Sequence, residues 1–286
     1  RLDRLLDTLE TQSNTHADRL LAGRTRSQVS TPVTLGYRLA HWAHPLIAAR
    51  SAIAPDGARI AEALALELGL ADAPSWHVNR TPILLLSGWL QRICTALSKM
   101  AGDLILMGRS DIGELASGAG GGSSTMPQKS NPVQAETIQV LAQIANHANS
   151  ALAAAADPLE ERDGTKWPLE WMMLPQLFVA AGSAVHHAQA LSESLRPNEA
   201  RLTATLAANP EIMAEAASFA LARAGISRSE AKDLVARAAA DSAPFPDALA
   251  RLSAAGIDWN AVLDPASALA PCKEMPRRIF AKRTKG

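Results

Sequence analysis

Apolar residues recur every three to four positions along most of this chain, the spacing that gathers them on one face of an α-helix. Leu2, Leu5, Leu6, Leu9, His16, Leu20 and Leu21 predict a helix over residues 1–22. The segment Gly23–Pro32 breaks that pattern, and a second helix is expected from about Pro32 to Ile53. Pro55-Asp56-Gly57 reads as a turn, and Ala58–Leu68 as a short helix stopped by Gly69. A loop bounded by prolines, Pro74–Pro82, leads into a long helix over Ile83–Met107, with Trp89, Ile93, Leu97, Met100 and Leu104 in a stripe. Residues 108–130 are glycine-rich and polar. A second long helix is expected over 132–156, burying Ile138, Leu141, Ile144 or Ala145, Ala148 and Leu152. Asp157–Pro168 reads as loop, and Glu170–Leu195 as a third long helix with Pro175 near its start.

The texture changes after Arg196-Pro197. Short helices are expected over Asn198–Ala208, Ile212–Ala224 and Arg228–Ser242, with Gly225 as a C-cap and Ser227 and Glu230 at capping-box spacing. One or two more fall between Phe245 and Leu269, and the basic tail Arg277–Gly286 is expected to fray. No convincing period-2 run and no internal repeat is visible. The expected fold is therefore all-α: a central helical bundle domain over 1–195 and a small helical C-terminal domain over 196–286. The chain opens on Arg1 in mid-pattern, so the natural protein is expected to start earlier.

Composition sharpens this picture. Alanine and leucine dominate and aromatics make up 4%, which favours helices packed on helices. Lys and Arg number 28 against 28 Asp and Glu, so no basic excess points to nucleic acid. No apolar run is long enough to cross a bilayer, and no signal-peptide pattern is read. Cys94 and Cys272 lie far apart without metal-type spacing, as expected for a reduced, cytoplasmic protein. His41 and His44 share a helix face, but no carboxylate or cysteine completes a metal set, and His186 and His187 face different ways.

The most informative run is Gly122-Ser123-Ser124-Thr125-Met126-Pro127-Gln128-Lys129-Ser130-Asn131-Pro132-Val133-Gln134-Ala135-Glu136, preceded by Gly118-Ala119-Gly120-Gly121. The glycines predict a mobile loop over 118–131. Asn131 and Pro132 suit the N-cap and first position of a helix. Two hydroxyls and an ammonium thus stand just before a helix N-terminus, where free N–H groups and the helix dipole favour an anion. A plain loop anchored by Lys129, before an ordinary helix, is the alternative reading.

This run resembles the signature of the fumarase/aspartase superfamily, Gly-Ser-Ser-x-Met-Pro-x-Lys-x-Asn-Pro-x-x-x-Glu, with every fixed position filled. Two further segments are similar to the 3-carboxy-cis,cis-muconate cycloisomerases of that superfamily. Adenylosuccinate and argininosuccinate lyases carry Arg-Thr-His-Gly-Gln where this chain has Arg24-Thr25-Arg26-Ser27-Gln28, so Arg26 replaces their acid histidine. Trp167 and Trp171 stand where adenylosuccinate lyases place a serine and an arginine on the nucleotide phosphate, and an indole offers one neutral donor and no charge. Trp76-His77-x-x-Arg80 also resembles the cycloisomerases, although their following Asp is Thr81 here. Their Gly-Gly-Ala-x-Gly-Thr segment is reduced to Ala54-Pro55-Asp56-Gly57, and we expect residues to be missing there.

The resemblance implies a homotetramer with a shared helical core, active sites built from three subunits, a further N-terminal domain, and no metal or organic cofactor. It implies a small di- or tricarboxylate substrate, with 3-carboxy-cis,cis-muconate closing to its γ-lactone in aromatic catabolism. A lyase releasing fumarate, and an inactive paralogue or helical scaffold, are the alternatives. By match to the signature, Ser123 is the proton carrier. Lys129 and Asn131 hold carboxylates, Ser124 binds substrate beside them, and Met126 lines the site or simply packs. Thr25, Gln28, His77, Arg80 and Arg162 are expected to bind substrate, and Glu136 to pair with Arg26 or a neighbour.

Overall fold

The computed structural model describes residues 2–25, 28–47, 79–118, 121–122, 126, 130–159, 163–253 and 256–282. Of Arg24, Thr25 and Gln28 only the backbone is described. The expected shortening near Ala54–Gly57 and the short helix 58–68 lie outside the described residues.

The described elements are mostly helical: α1 (Leu2–Thr15), α2 (residues 35–47), α3 (Thr81–Met107), α4 (Val133–Ala154), α5 (Lys166–Glu193), α6 (Glu199–Ala207), α7 (Ala214–Arg223), α8 (Arg228–Ala239), α9 (Phe245–Ser253), α10 (Trp259–Val262) and α11 (Ala270–Phe280). Two compact units emerge. One comprises residues 1–12, 39–197 and 278–286, and the other residues 13–38 and 198–277.

In the first unit α3, α4 and α5 pack on one another as a three-rod bundle. The stripe on α3 is buried at Ile93, Leu97, Met100 and Leu104. On α4 the buried face is Ala135, Ile138, Ala142, Ala145, Ala148 and Leu152, while Ile144 is exposed. On α5 it includes Leu177, Ala180, Ala181, Ala184 and Ala188. Alanine methyls at these contacts let helix axes approach closely and cost no side-chain entropy. Trp42, on α2, is buried and donates its indole N–H to Asp103 Oδ2 at 2.6 Å, fastening α2 to α3. Gln189 on α5 donates to the Thr8 hydroxyl on α1 at 2.9 Å.

The expected helix over 1–22 ends at Thr15, and two antiparallel strands follow, β1 (Leu20–Thr25) and β2 (Gln28–Thr34). Leu20 and Leu21 fit helical spacing, but long-range bonds decide otherwise. Gly36 N donates to His16 O at 2.9 Å and Leu35 N to Arg19 O at 2.7 Å, so the chain folding back satisfies the groups at the helix end. A Cβ on Gly36 would lie 2.4 Å from Ser13 O, so no other residue allows this approach. Pro32 sits inside β2 rather than opening a helix. The register slips between Ala22 and Gly23, leaving Thr31 as a bulge beside the proline, where a missing N–H is tolerated.

In the second unit α7 to α10 surround a core of Met213, Ala217, Leu221, Val235, Phe245 and Trp259. Ser227 caps α8 by accepting from Glu230 N at 3.2 Å, and Gly225, at φ 93°, closes α7 as Ile226 N donates to Leu221 O at 3.1 Å. The tail departs from expectation: α11 is helical to Phe280 despite Pro276, with Ile279 and Phe280 buried. Burial of these two side chains outweighs the one backbone bond that proline removes. Likewise α5 begins at Lys166, ahead of the expected start, because Pro168 falls in the first helical turn, where no N–H is needed.

Candidate functional site

The signature run is fastened at both ends. Short strands β4 (Gly121–Gly122) and β5 (Ser130–Asn131) pair antiparallel, with Gly121 opposite Asn131 and Gly122 opposite Ser130. Upstream, β3 (Leu115–Ala116) pairs with β6 (Arg196–Pro197), just beyond α5. Between the two ladders Gly118 adopts φ 72° and donates its N–H to Ser194 Oγ at 2.6 Å.

Downstream, α4 starts at Val133 with Pro132 flanking it, and Glu136 N bonds to Pro132 O at 3.0 Å. Asn131 is thus a strand residue rather than the cap of α4. The first-turn N–H groups of α4 lack intrahelical acceptors and give this end its positive character. A cavity of about 110 Å³ lies at this loop base, lined in part by Leu104, Leu115, Ser117, Asn131, Gln134 and Leu191. Gln134 Oε1 is buried there without a hydrogen-bond partner.

Of the sequence-predicted residues, Asn131 is half-buried at this base, Met126 is exposed, and Glu136 is exposed in the first turn of α4. Ser123, Ser124, Lys129, His77, Arg162 and Arg26 lie outside the described residues, and with Arg26 the expected partner of Glu136. Thr25 and Gln28 face each other as the last registered pair of β1 and β2.

Arg80 sits immediately before α3 and reaches Glu170 in the second turn of α5. Its Nε donates to Oε2 at 2.9 Å and Nη2 to Oε1 at 2.5 Å, with side-chain exposures of 13% and 9%. The pair thereby joins Arg80, ahead of α3, to the Trp167–Trp171 stretch of α5. Trp167 and Trp171 lie on the same stretch of α5 with ring centroids 6.2 Å apart.

Asp163 folds the chain before α5. It accepts from Leu159 N at 2.9 Å, Thr165 Oγ1 at 2.6 Å, Thr165 N at 2.7 Å and Lys166 N at 3.3 Å. These donors, led by the Leu159 amide, hold its carboxyl well below the usual carboxylate range. Sequence reasoning assigned no role to Glu170, Asp163 or Ser194. Asp163-Gly164-Thr165 carries a turn signal that could have revealed the second. Nothing local marks the other two, whose partners lie 90 and 76 residues away.

Known proteins match this arrangement. A family model described as Lyase matches residues 48–145. A 3-carboxy-cis,cis-muconate cycloisomerase from Pseudomonas aeruginosa is 33% identical over 98% of this chain and 69% of its own length. A nitrosuccinate lyase from Streptomyces davaonensis is 32% identical over 89% of this chain and 60% of its own length. The crystal structure of a 3-carboxy-cis,cis-muconate lactonizing enzyme from Pseudomonas putida superposes with a TM-score of 0.85 at 30% identity, over 99% of this chain and 71% of that one. The chain thus spans 60% to 71% of the length of these relatives. The helical bundle and these relatives place the chain in the fumarase/aspartase superfamily. Within it, the chain belongs to the family of the 3-carboxy-cis,cis-muconate cycloisomerases.

Proposed function

We propose that this protein interconverts 3-carboxy-cis,cis-muconate and its γ-lactone, 4-carboxymuconolactone, in the protocatechuate branch of aromatic catabolism. The observation that supports this reading is the ladder pairing Gly121 and Gly122 with Asn131 and Ser130 immediately ahead of the first turn of α4. Likeness to a cycloisomerase along 98% of the chain supports the choice of substrate.

In this reading a substrate carboxylate oxygen adds to the far double bond, forming the lactone C–O bond. The displaced π pair settles on the carbon next to a second carboxylate, whose oxygens carry the charge as an aci-carboxylate. Ser123 gives that carbon its proton and regains one from solvent. Lys129, Asn131 and the first turn of α4 stabilise the negative charge. Ser124, Met126, Thr25, Gln28, His77 and Arg162 complete the substrate contacts. Arg80, held by Glu170, supports them by fixing the segment before α3, and Glu136 with Arg26 supports the loop. The step needs placed donors and a proton carrier, with no metal or organic cofactor.

The exposed side chains of Leu85 on α3, Val140 and Ile144 on α4, and Met172, Phe178 and Val179 on α5 support a homotetramer in which these rods meet. Active sites shared between subunits follow in this reading. Among the described residues no helix is long and apolar enough to cross a membrane, and we assign the enzyme to the cytoplasm.

The test is loss of muconate absorbance with the purified protein. Ser123→Ala is expected to lower kcat by about 10²–10⁴-fold. Undiminished lactone formation by that variant refutes the assignment of Ser123. The nitrosuccinate lyase relative favours a second reading, elimination from a substituted succinate. Fumarate appearing from nitrosuccinate, with muconate untouched, would establish it.

A further inference from the structure

We infer that Ser194, at the end of α5, is a positioning residue for the signature loop. The inference rests on the reading above, in which residues 123–129 carry the chemistry. The Ser194 hydroxyl is oriented by its own helix, since Oγ lies 2.9 Å from Ala190 O and 3.0 Å from Leu191 O. Its single proton is committed to those carbonyls, so a lone pair faces outward. That lone pair takes the Gly118 N–H at 2.6 Å.

Gly118 is boxed in as well as bonded. A Cβ there would fall 2.8 Å from Gln134 Oε1, on α4, and 3.3 Å from Leu191 Cδ2, on α5. At φ 72° it takes a conformation that side-chain-bearing residues rarely adopt. Three residues on, Gly121 is paired to Asn131. The upstream limb of the loop is therefore set by α5 through Ser194, and the downstream limb by α4 through the ladder.

Beside this clamp lies the cavity of about 110 Å³, bordered by Leu104, Leu115 and Leu191. It gives the limb room to shift once the hydroxyl is gone. Proton transfer falls off steeply with misplacement, by about a hundredfold for an error near 1 Å. Ser194 thus acts on the reaction through the loop, without touching substrate.

The experiment uses the full chain, as wild type, Ser194→Ala, Ser194→Cys and Ser194→Thr. Cysteine keeps the volume but is a weak acceptor, and threonine keeps the hydroxyl. Hydrogen exchange at the Gly118 amide is expected to speed up at least about tenfold in the Ala and Cys variants, and to return to the wild-type rate in Ser194→Thr. For muconate, kcat is expected to fall about ten- to a hundredfold in the same two variants, with KM within about twofold, and to recover in Ser194→Thr. Unchanged Gly118 exchange in Ser194→Ala or Ser194→Cys overturns the clamp, whatever the activity. Faster exchange with unchanged kcat overturns the positioning role. A wild type inert toward muconate refutes the cycloisomerase reading instead, and leaves the clamp to be decided by the exchange rates.

Discussion

Replacing Glu170 with alanine gives a quantitative test of how the starts of α3 and α5 are held together. The Arg80–Glu170 pair makes two parallel charge-assisted bonds, at 2.9 and 2.5 Å, with little solvent around either side chain. Burying both charges costs several kcal/mol, which their attraction roughly offsets, so the pair adds little net stability over apolar packing. Removing one partner is different, because the guanidinium stays buried without its neutralising carboxylate. The expected loss is about 3–5 kcal/mol. At about 2–4 °C per kcal/mol for a domain of this size, the midpoint should fall by roughly 6–20 °C. Urea unfolding at fixed protein concentration would measure it, for both single variants and for Arg80→Met/Glu170→Leu. The double variant should lie within about 1 kcal/mol of wild type. A Glu170→Ala variant within 1 kcal/mol of wild type, or a double variant as unstable as the worse single, would refute a buried, coupled pair.

Two more predictions concern the backbone and pH. Gly36→Ala should destabilise by about 1–3 kcal/mol although alanine gains about 1 kcal/mol in helix propensity, because the new methyl would lie 2.4 Å from Ser13 O and 2.7 Å from Ala17 Cα; thermal melts give the sign. Asp163→Asn should remove an acid-sensitive contribution. The native carboxyl is held below its unfolded value, so its stabilisation is complete above about pH 4 and fades as pH falls below that value. Melts from pH 7 to pH 2.5 should show wild type and variant converging, and a constant gap would contradict this.

The three long rods were legible because burial follows period 3.6 with little competition. The stripe from Ile93 to Leu104 is buried as read, and so are Ile138, Ala148 and Leu152 on α4, with Ala145 rather than Ile144 turned inward and Ala142 buried where Leu141 is only half-buried. What failed was decided at long range. Leu20 and Leu21 look helical until Leu35 and Gly36 return to cap the end of α1. The basic tail from Arg277 looks frayed until the burial of Ile279 and Phe280 is known. At the candidate site the motif announced the loop, but not what fastens it. Ser194 and Glu170 are chemically ordinary in sequence and acquire meaning only through Gly118 and Arg80.

The alanine methyls between α4 and α5 have a consequence for how such a chain can change. Each residue added to a helix turns everything beyond it by about 100°. One extra residue in mid-α4 would swing Ala145, Ala148 and Leu152 away from their neighbours and bring bulkier side chains into seats shaped for a methyl. Variation in length is therefore confined to the connecting segments, while the rods can drift only one side chain at a time.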